Sequence, residues 1–177
     1  MKILKIFLGS IFFITSLTNA EEIKIRIGHF PNLPHAQSLL AHQMTRQGRG
    51  WFEPRLEKFL LKEDLESKPV KIKIDWYVYN AGPSAMEALF ANAIDLSYCG
   101  PNPPINAYLK SNRENPRIIA AAAYGGASLV LREDLNILDI KDFKGKIIAT
   151  PQLGNTQDIS ARAWFISQGF KITQRRI

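Results

Sequence analysis

The residues best placed to do chemistry are Leu153-Gly154-Asn155-Thr156-Gln157-Asp158. They follow a short apolar run, Ile147-Ile148-Ala149, that ends at Thr150-Pro151. They precede a helical spacing of Ala161, Ala163, Trp164 and Ile166. Strand, glycine-bearing turn and helix start, in that order, leave unpaired backbone N–H groups and the positive end of a helix dipole at the turn. An anion or a polar head group is held well there. Asn155, Thr156 and Gln157 add uncharged donors at the same point. Asn155 or Thr156 would also serve as an ordinary N-cap, and the segment taken alone favours capping. No candidate turn carries a paired carboxylate, a zinc-ligand spacing or a nucleophile beside a base. The chemistry on offer is holding a solute rather than transforming it, with no catalytic residue, no metal and no cofactor implied.

The elements that must position this turn alternate along the chain. Ile23, Ile25 and Ile27 alternate with Lys24 and Arg26, the pattern of a half-buried strand. Pro31 and Pro34 end it, and a helix follows over 35–46, interrupted at Gly48 and Gly50. Helical spacing resumes over 51–62, with Phe52, Leu56, Phe59 and Leu60 on one side. Val70, Ile72, Ile74, Trp76 and Val78 alternate with Lys71, Lys73, Asp75 and Tyr77, a second strand whose polar face suits a sheet edge. Asn80-Ala81-Gly82-Pro83 turns into a helix over 84–92. A short strand over 94–98, a turn at Gly100-Pro101-Asn102-Pro103-Pro104 and a helix to about Lys110 come next. Apolar runs over 118–123 and 128–131 are expected to be extended. The alternation argues for an α/β fold with a parallel sheet and helices on both faces. In such folds ligands bind beyond the carboxyl ends of the strands. Four turns there have suitable chemistry: residues 30–35, 80–83, 100–102 and 154–158, with Tyr124-Gly125-Gly126 available to join them.

Composition sets the class. Hydrophobic residues make up 46% and charged residues 22% of the chain, ordinary values for a globular protein. The formal net charge of +7 suits an anionic ligand, but the basic residues are scattered with no aromatic interleaving, so nucleic-acid binding has little support. Cys99 is the single cysteine, which excludes an internal disulfide; it fits a small buried apolar residue. Lys2 and Lys5, an apolar run over 6–17 and Thr18-Asn19-Ala20 have the order of a cleaved secretory signal peptide. The apolar run is short of the ~20 residues that a membrane span needs. The mature chain is expected to begin near Glu21, in a periplasm, with no stable membrane insertion after cleavage.

Taken in order, Ile25-Arg26-Ile27-Gly28-His29-Phe30-Pro31, Gly50-Trp51-Phe52-Glu53, Ala91-Asn92-Ala93-Ile94-Asp95-Leu96, Gly100-Pro101-Asn102-Pro103 and residues 153–158 resemble the periplasmic substrate-binding components of ABC importers. The branch is the one for nitrate, taurine and aliphatic sulfonates, related to thiamine-pyrimidine synthesis proteins. The resemblance spans almost all of residues 23–174. It implies a type II-like periplasmic binding protein of two α/β lobes that clamp a small solute and dock transiently on a permease with its ATPase. The implied division is a signal peptide over 1–20, a first lobe over 21–125 and the start of a second lobe over 126–177.

Carried over residue by residue, the resemblance implies ligand contacts from Pro34, His35, Asn80, Gly82, Gly100 and Asn102 in the first lobe. Tyr124, Gly125 and Gly126 fall at the hinge, and Asn155, Thr156 and Gln157 in the second lobe. His35 equally fits a plain helix start, Asn80 and Asn102 plain turn residues, and Tyr124 hinge packing. The chain departs from the family's pattern by stopping at Ile177, soon after the first helix of the second lobe, so a C-terminally truncated second lobe is expected. The other functions open to this fold are a pyrimidine-synthesis-type enzyme and an exported sensory domain. The leader and the lone cysteine weigh against the enzyme.

Overall fold

The computed structural model describes residues 21–63, 69–125 and 127–174. The expected signal peptide over 1–20 lies outside the described residues, as does Gly126. In chain order the elements are β1 (Glu21–His29), a 3-10 turn (Leu33–His35), α1 (Ala36–Arg46), α2 (Glu53–Lys62), β2 (Val70–Val78) and α3 (Gly82–Phe90). After these come β3 (Leu96–Ser97), α4 (Asn102–Lys110), a second 3-10 turn (Ile140–Phe143) and α5 (Thr156–Ser167).

The sheet is parallel and runs β2-β1-β3. Ile23 sits opposite Ile72, Ile25 opposite Ile74 and Ile27 opposite Trp76, so the apolar residues of both strands share one face. That face is closed by α2, which contributes Leu56 and Leu60, with Phe52 just before it, to a core centred on Ile27, Val70, Ile72 and Ile74. A second core gathers Phe30, Ala85, Met86 and Ala107, with Tyr79, Leu89 and Cys99 against it, and joins α3 to α4. Among the described residues β2 lies at the sheet edge, as its alternation implied, and its exposed Lys71 and Lys73 disfavour further pairing there.

The chain returns to β1 through one polar clasp. The Asp95 carboxylate accepts the backbone N–H of Arg26 at 2.8 Å and its guanidinium at 3.0 and 2.6 Å, while the same guanidinium donates to the carbonyl of Asn92. The clasp accounts for residues 91–96 as a unit. Asn92 takes a positive φ of 52° to aim its carbonyl, Ile94 is buried, and Asp95 is the anchor.

Three expectations are corrected. The strand expected over 94–98 contracts to Leu96–Ser97, because Ile94 is spent on the core and Asp95 on the clasp. The extended runs over 118–123 and 128–131, and the apolar run at Ile147-Ile148-Ala149, form no ladder among the described residues. An apolar run becomes a strand only when a neighbouring backbone pairs with it, and Ile118, Ile119, Val130 and Ile147 are exposed instead. One side-chain tie holds the first of these runs, from the Gln37 amide on α1 to the Ala122 carbonyl at 2.6 Å.

Candidate binding site at the helix starts

Parallel strands deliver their turns to one end of the sheet, and there the starts of three helices converge. α3 begins at Gly82, which is buried. A Cβ on Gly82 would lie 2.2 Å from Cγ of Pro103 at the start of α4, so these two helix starts touch with no room for a side chain. α4 in turn meets α5. The backbone N–H of Asn102 points at the hydroxyl oxygen of Thr156 at 3.5 Å, and a Cβ on Gly100 would lie 2.2 Å from that same oxygen. Gly82, Gly100, Asn102 and Thr156 are therefore brought together. Pro103 and Pro104 occupy the first turn of α4 and carry no N–H, which concentrates its early donor capacity in Asn102.

The turn before α5 is fixed by two side-chain acceptors. Asn155 is buried, and its side-chain oxygen accepts the Asp158 N–H at 2.7 Å. Asp158 is also buried, and its carboxylate accepts the Gly154 N–H at 2.9 Å and the Arg162 guanidinium at 2.9 Å. Gly154 sits at φ 80°, a conformation open to glycine at no steric cost. The Asn155 oxygen is thus committed to capping, and its amide N–H groups are what it retains for a ligand.

The other candidate residues sit in varied surroundings. Pro34 is exposed in the first 3-10 turn. His35 is buried, stacks on Phe30 with ring centroids 4.3 Å apart, and accepts the Phe30 N–H at 3.2 Å. Asn80 is exposed in its turn. Tyr124 is wholly exposed, and Gly125 beside it is exposed with φ 135°. Gln157 lines a mainly apolar cleft of about 340 Å³, together with Leu129, Ile148, Trp164 and Phe165. Cys99 is half-buried, and burial pushes its thiol up to about 11, the state of a packing residue rather than a nucleophile.

The model of the NMT1-like family matches residues 18–177. The chain belongs to that family. A Bacillus subtilis (strain 168) protein named "Putative aliphatic sulfonates-binding protein" is 28% identical over 127 residues, covering 71% of this chain and 32% of the relative. The chain thus aligns with about a third of that relative's length. No solved structure gives a significant match. This NMT1-like chain is mixed α/β with a parallel sheet, as its sequence implied. Among the described residues no helix is long and apolar enough to cross a membrane.

One arrangement behind the site carried no sequence expectation. His29, at the end of β1, and His42, on α1, approach to 2.9 Å between Nε2 and Nδ1. The His42 ring stacks on Trp76 with centroids 5.6 Å apart. The Trp76 indole N–H donates to the Thr45 hydroxyl at 3.1 Å, which lies 2.8 Å from a Glu53 carboxylate oxygen. Glu53 folds back over Gly50, where a Cβ would lie 2.1 Å from the carboxylate, so the Gly50-Trp51-Phe52-Glu53 motif is a packing device. The available signal was parity: His29 shares the odd positions of Ile23, Ile25 and Ile27, and His35 and His42 lie two helical turns apart.

Proposed function

We propose that this chain is the solute-binding part of an ABC importer, exported through a leader over 1–20, and that it holds a small anionic or polar solute. An alkanesulfonate, taurine or nitrate has the right chemistry. The single observation that carries the reading is the meeting of Asn102 N–H and Thr156 Oγ1 beside Gly82 and Gly100. Neutral donors at helix starts stabilise an anion without a counter-ion, and three such starts face one another here. Family membership and the sulfonate-binding name of the relative agree with it. The lobes fall at 21–125 and 126–177, with the hinge at Tyr124, Gly125 and Gly126. The complete protein docks on a permease and its ATPase to release its solute. Holding rather than catalysis fits a site whose cysteine is protonated and packed.

Calorimetry with taurine, ethanesulfonate, nitrate and a pyrimidine, on the chain and on its Thr156→Ala variant, tests the reading. Losing one hydrogen bond to a charged ligand costs about 1.5–3 kcal/mol, roughly tenfold or more in affinity. Sulfonate or nitrate binding weakened by that factor in the variant is the expected result. Binding of the pyrimidine alone would move the protein to the enzyme-related branch.

A further inference from the structure

All three histidines of the chain converge behind the first of the ligand-side turns. His29 is 1% and His35 7% exposed, and His42 is half-buried beside them. We infer that His29, His35 and His42 form an acid-sensitive latch, which pins the carboxyl end of β1 to the start of α1 while they are neutral and releases it in mildly acid surroundings.

Proton accounting carries the inference. The His35 Nδ1 accepts the Phe30 N–H at 3.2 Å, so the neutral ring keeps its proton on Nε2. A second proton has to land on Nδ1, where it ends the Phe30 bond and places a cation against the Phe30 ring face inside the second core. The contact between His29 Nε2 and His42 Nδ1 at 2.9 Å holds one proton. If both rings were charged, two N–H groups would face each other across it.

Among the described residues no carboxylate lies against the cluster, and the Phe30 and Trp76 ring faces are what an added charge meets, an attraction smaller than full hydration when the site is buried. From α1 comes Arg46, a like charge that disfavours the His42 cation. From α2 comes the Glu53 carboxylate, which reaches the cluster only through Thr45 and Trp76. From β2 comes the neutral Trp76, against both His29 and His42. After β3, Tyr98 lies 6.2 Å from His35, and burial raises its hydroxyl above the ordinary range. Tyr79 and Cys99 pack with Phe30. Asp75 is tied to Lys24 at 2.6 Å, from the opposite parity of β2. Burial lowers the His35 and His42 pKa values, with the neighbouring His29 adding to both.

The sign follows from those directions. A histidine held below its unfolded value leaves stability intact above about pH 6.5 and removes it as pH falls, because the unfolded state binds more protons. The movable part is the turn over 30–35, so acid loosens the ligand-side end of the first lobe. This holds whichever solute is bound.

The test is urea unfolding of the full chain without ligand at pH 7.5 and 5.5, with NMR titration of the imidazoles. One unit below the unfolded value, each histidine that must stay neutral lowers the folded-to-unfolded ratio by up to about tenfold. Asp75, Asp95 and Asp142 are held below the usual carboxylate range by their partners, so their window lies below this one. The double variant His35→Asn, His42→Asn keeps an amide oxygen and amide N–H near the positions of the two Nδ1 atoms and does not titrate; its midpoint should move much less between the two pH values. An equal wild-type midpoint at both, or His35 and His42 titrating at or above the unperturbed value, would overturn the latch. Should the double variant not fold, the wild-type imidazole titration decides alone.

Discussion

Asp158 shows how one side chain sets the terms on which an anion can enter. It places a buried negative charge in the first turn of α5, where the helix dipole is positive. Arg162 answers that charge from the next turn at 2.9 Å. The start of α5 is therefore partly neutralised from within, and the uncharged group it adds is the Thr156 hydroxyl, whose oxygen faces the Asn102 N–H. Gly82 and Gly100 were legible in the sequence as points of close approach, because such contacts require the missing side chains. The burial of His35 was not legible, since a histidine at a helix start can face outward or inward, and only the Phe30 stacking shows which it does. Gly82 gives the sharpest single-residue expectation. Its added Cβ meets the ring of Pro103 at 2.2 and 2.7 Å, and a proline ring cannot rotate away. Gly82→Ala should cost about 1–3 kcal/mol, the usual range for overpacking. A lower urea midpoint with an unchanged slope would register it, and an unchanged midpoint would mean that α3 and α4 separate freely.

Helix starts decide the arrangement at the next scale. α3 and α4 have no side-chain cap and begin with proline, whose fixed φ suits a first turn. α5 instead has the buried Asn155 cap, reinforced by Asp158. Asn155→Ala should destabilise α5 by about 0.5–2 kcal/mol and release the Gly154 turn along with it. Loss of helical signal at 222 nm on heating, earlier in the variant than in the parent, would measure it, and coincident melts would argue against the cap. β1 and β2 were legible because strict alternation of isoleucine with charge fixes both the element and its buried face. The runs over 118–123 and 128–131 were not, because a ladder depends on a partner strand that local sequence does not contain. Helix bounds shifted by a residue or two wherever proline opened the first turn, as at Glu53-Pro54 and Gly82-Pro83.

Across the whole molecule, burial is uneven. Residues 21–110 hold both cores, and Ile27, Ile72, Ile74, Ala85 and Ile94 are closed from solvent. The later residues gather a smaller aromatic group, with Phe165 buried 5.2 Å from Phe143 and 5.6 Å from Phe170. Val130, Leu138 and Ile147 meanwhile expose most of their surface. Among the described residues, α5 against α4 and the Gln37–Ala122 tie join them to the first part. Local opening is easiest where few apolar contacts must be given up, and burial supplies most of the driving force at about 25 cal/mol per Å² of apolar surface. Amide exchange should therefore be slowest in β1 and β2, intermediate in α5 and fastest over 127–150, in the chain without ligand. A saturating sulfonate should slow exchange in α5 and at the start of α4 more than in β2, because a solute at Thr156 and Asn102 ties those two helices together. Mass-spectrometric exchange with and without ethanesulfonate separates the outcomes. Uniform protection from β1 through α5 in the free chain would show that the second part is as cooperative as the first, and slowing confined to β2 would place the solute away from the helix starts.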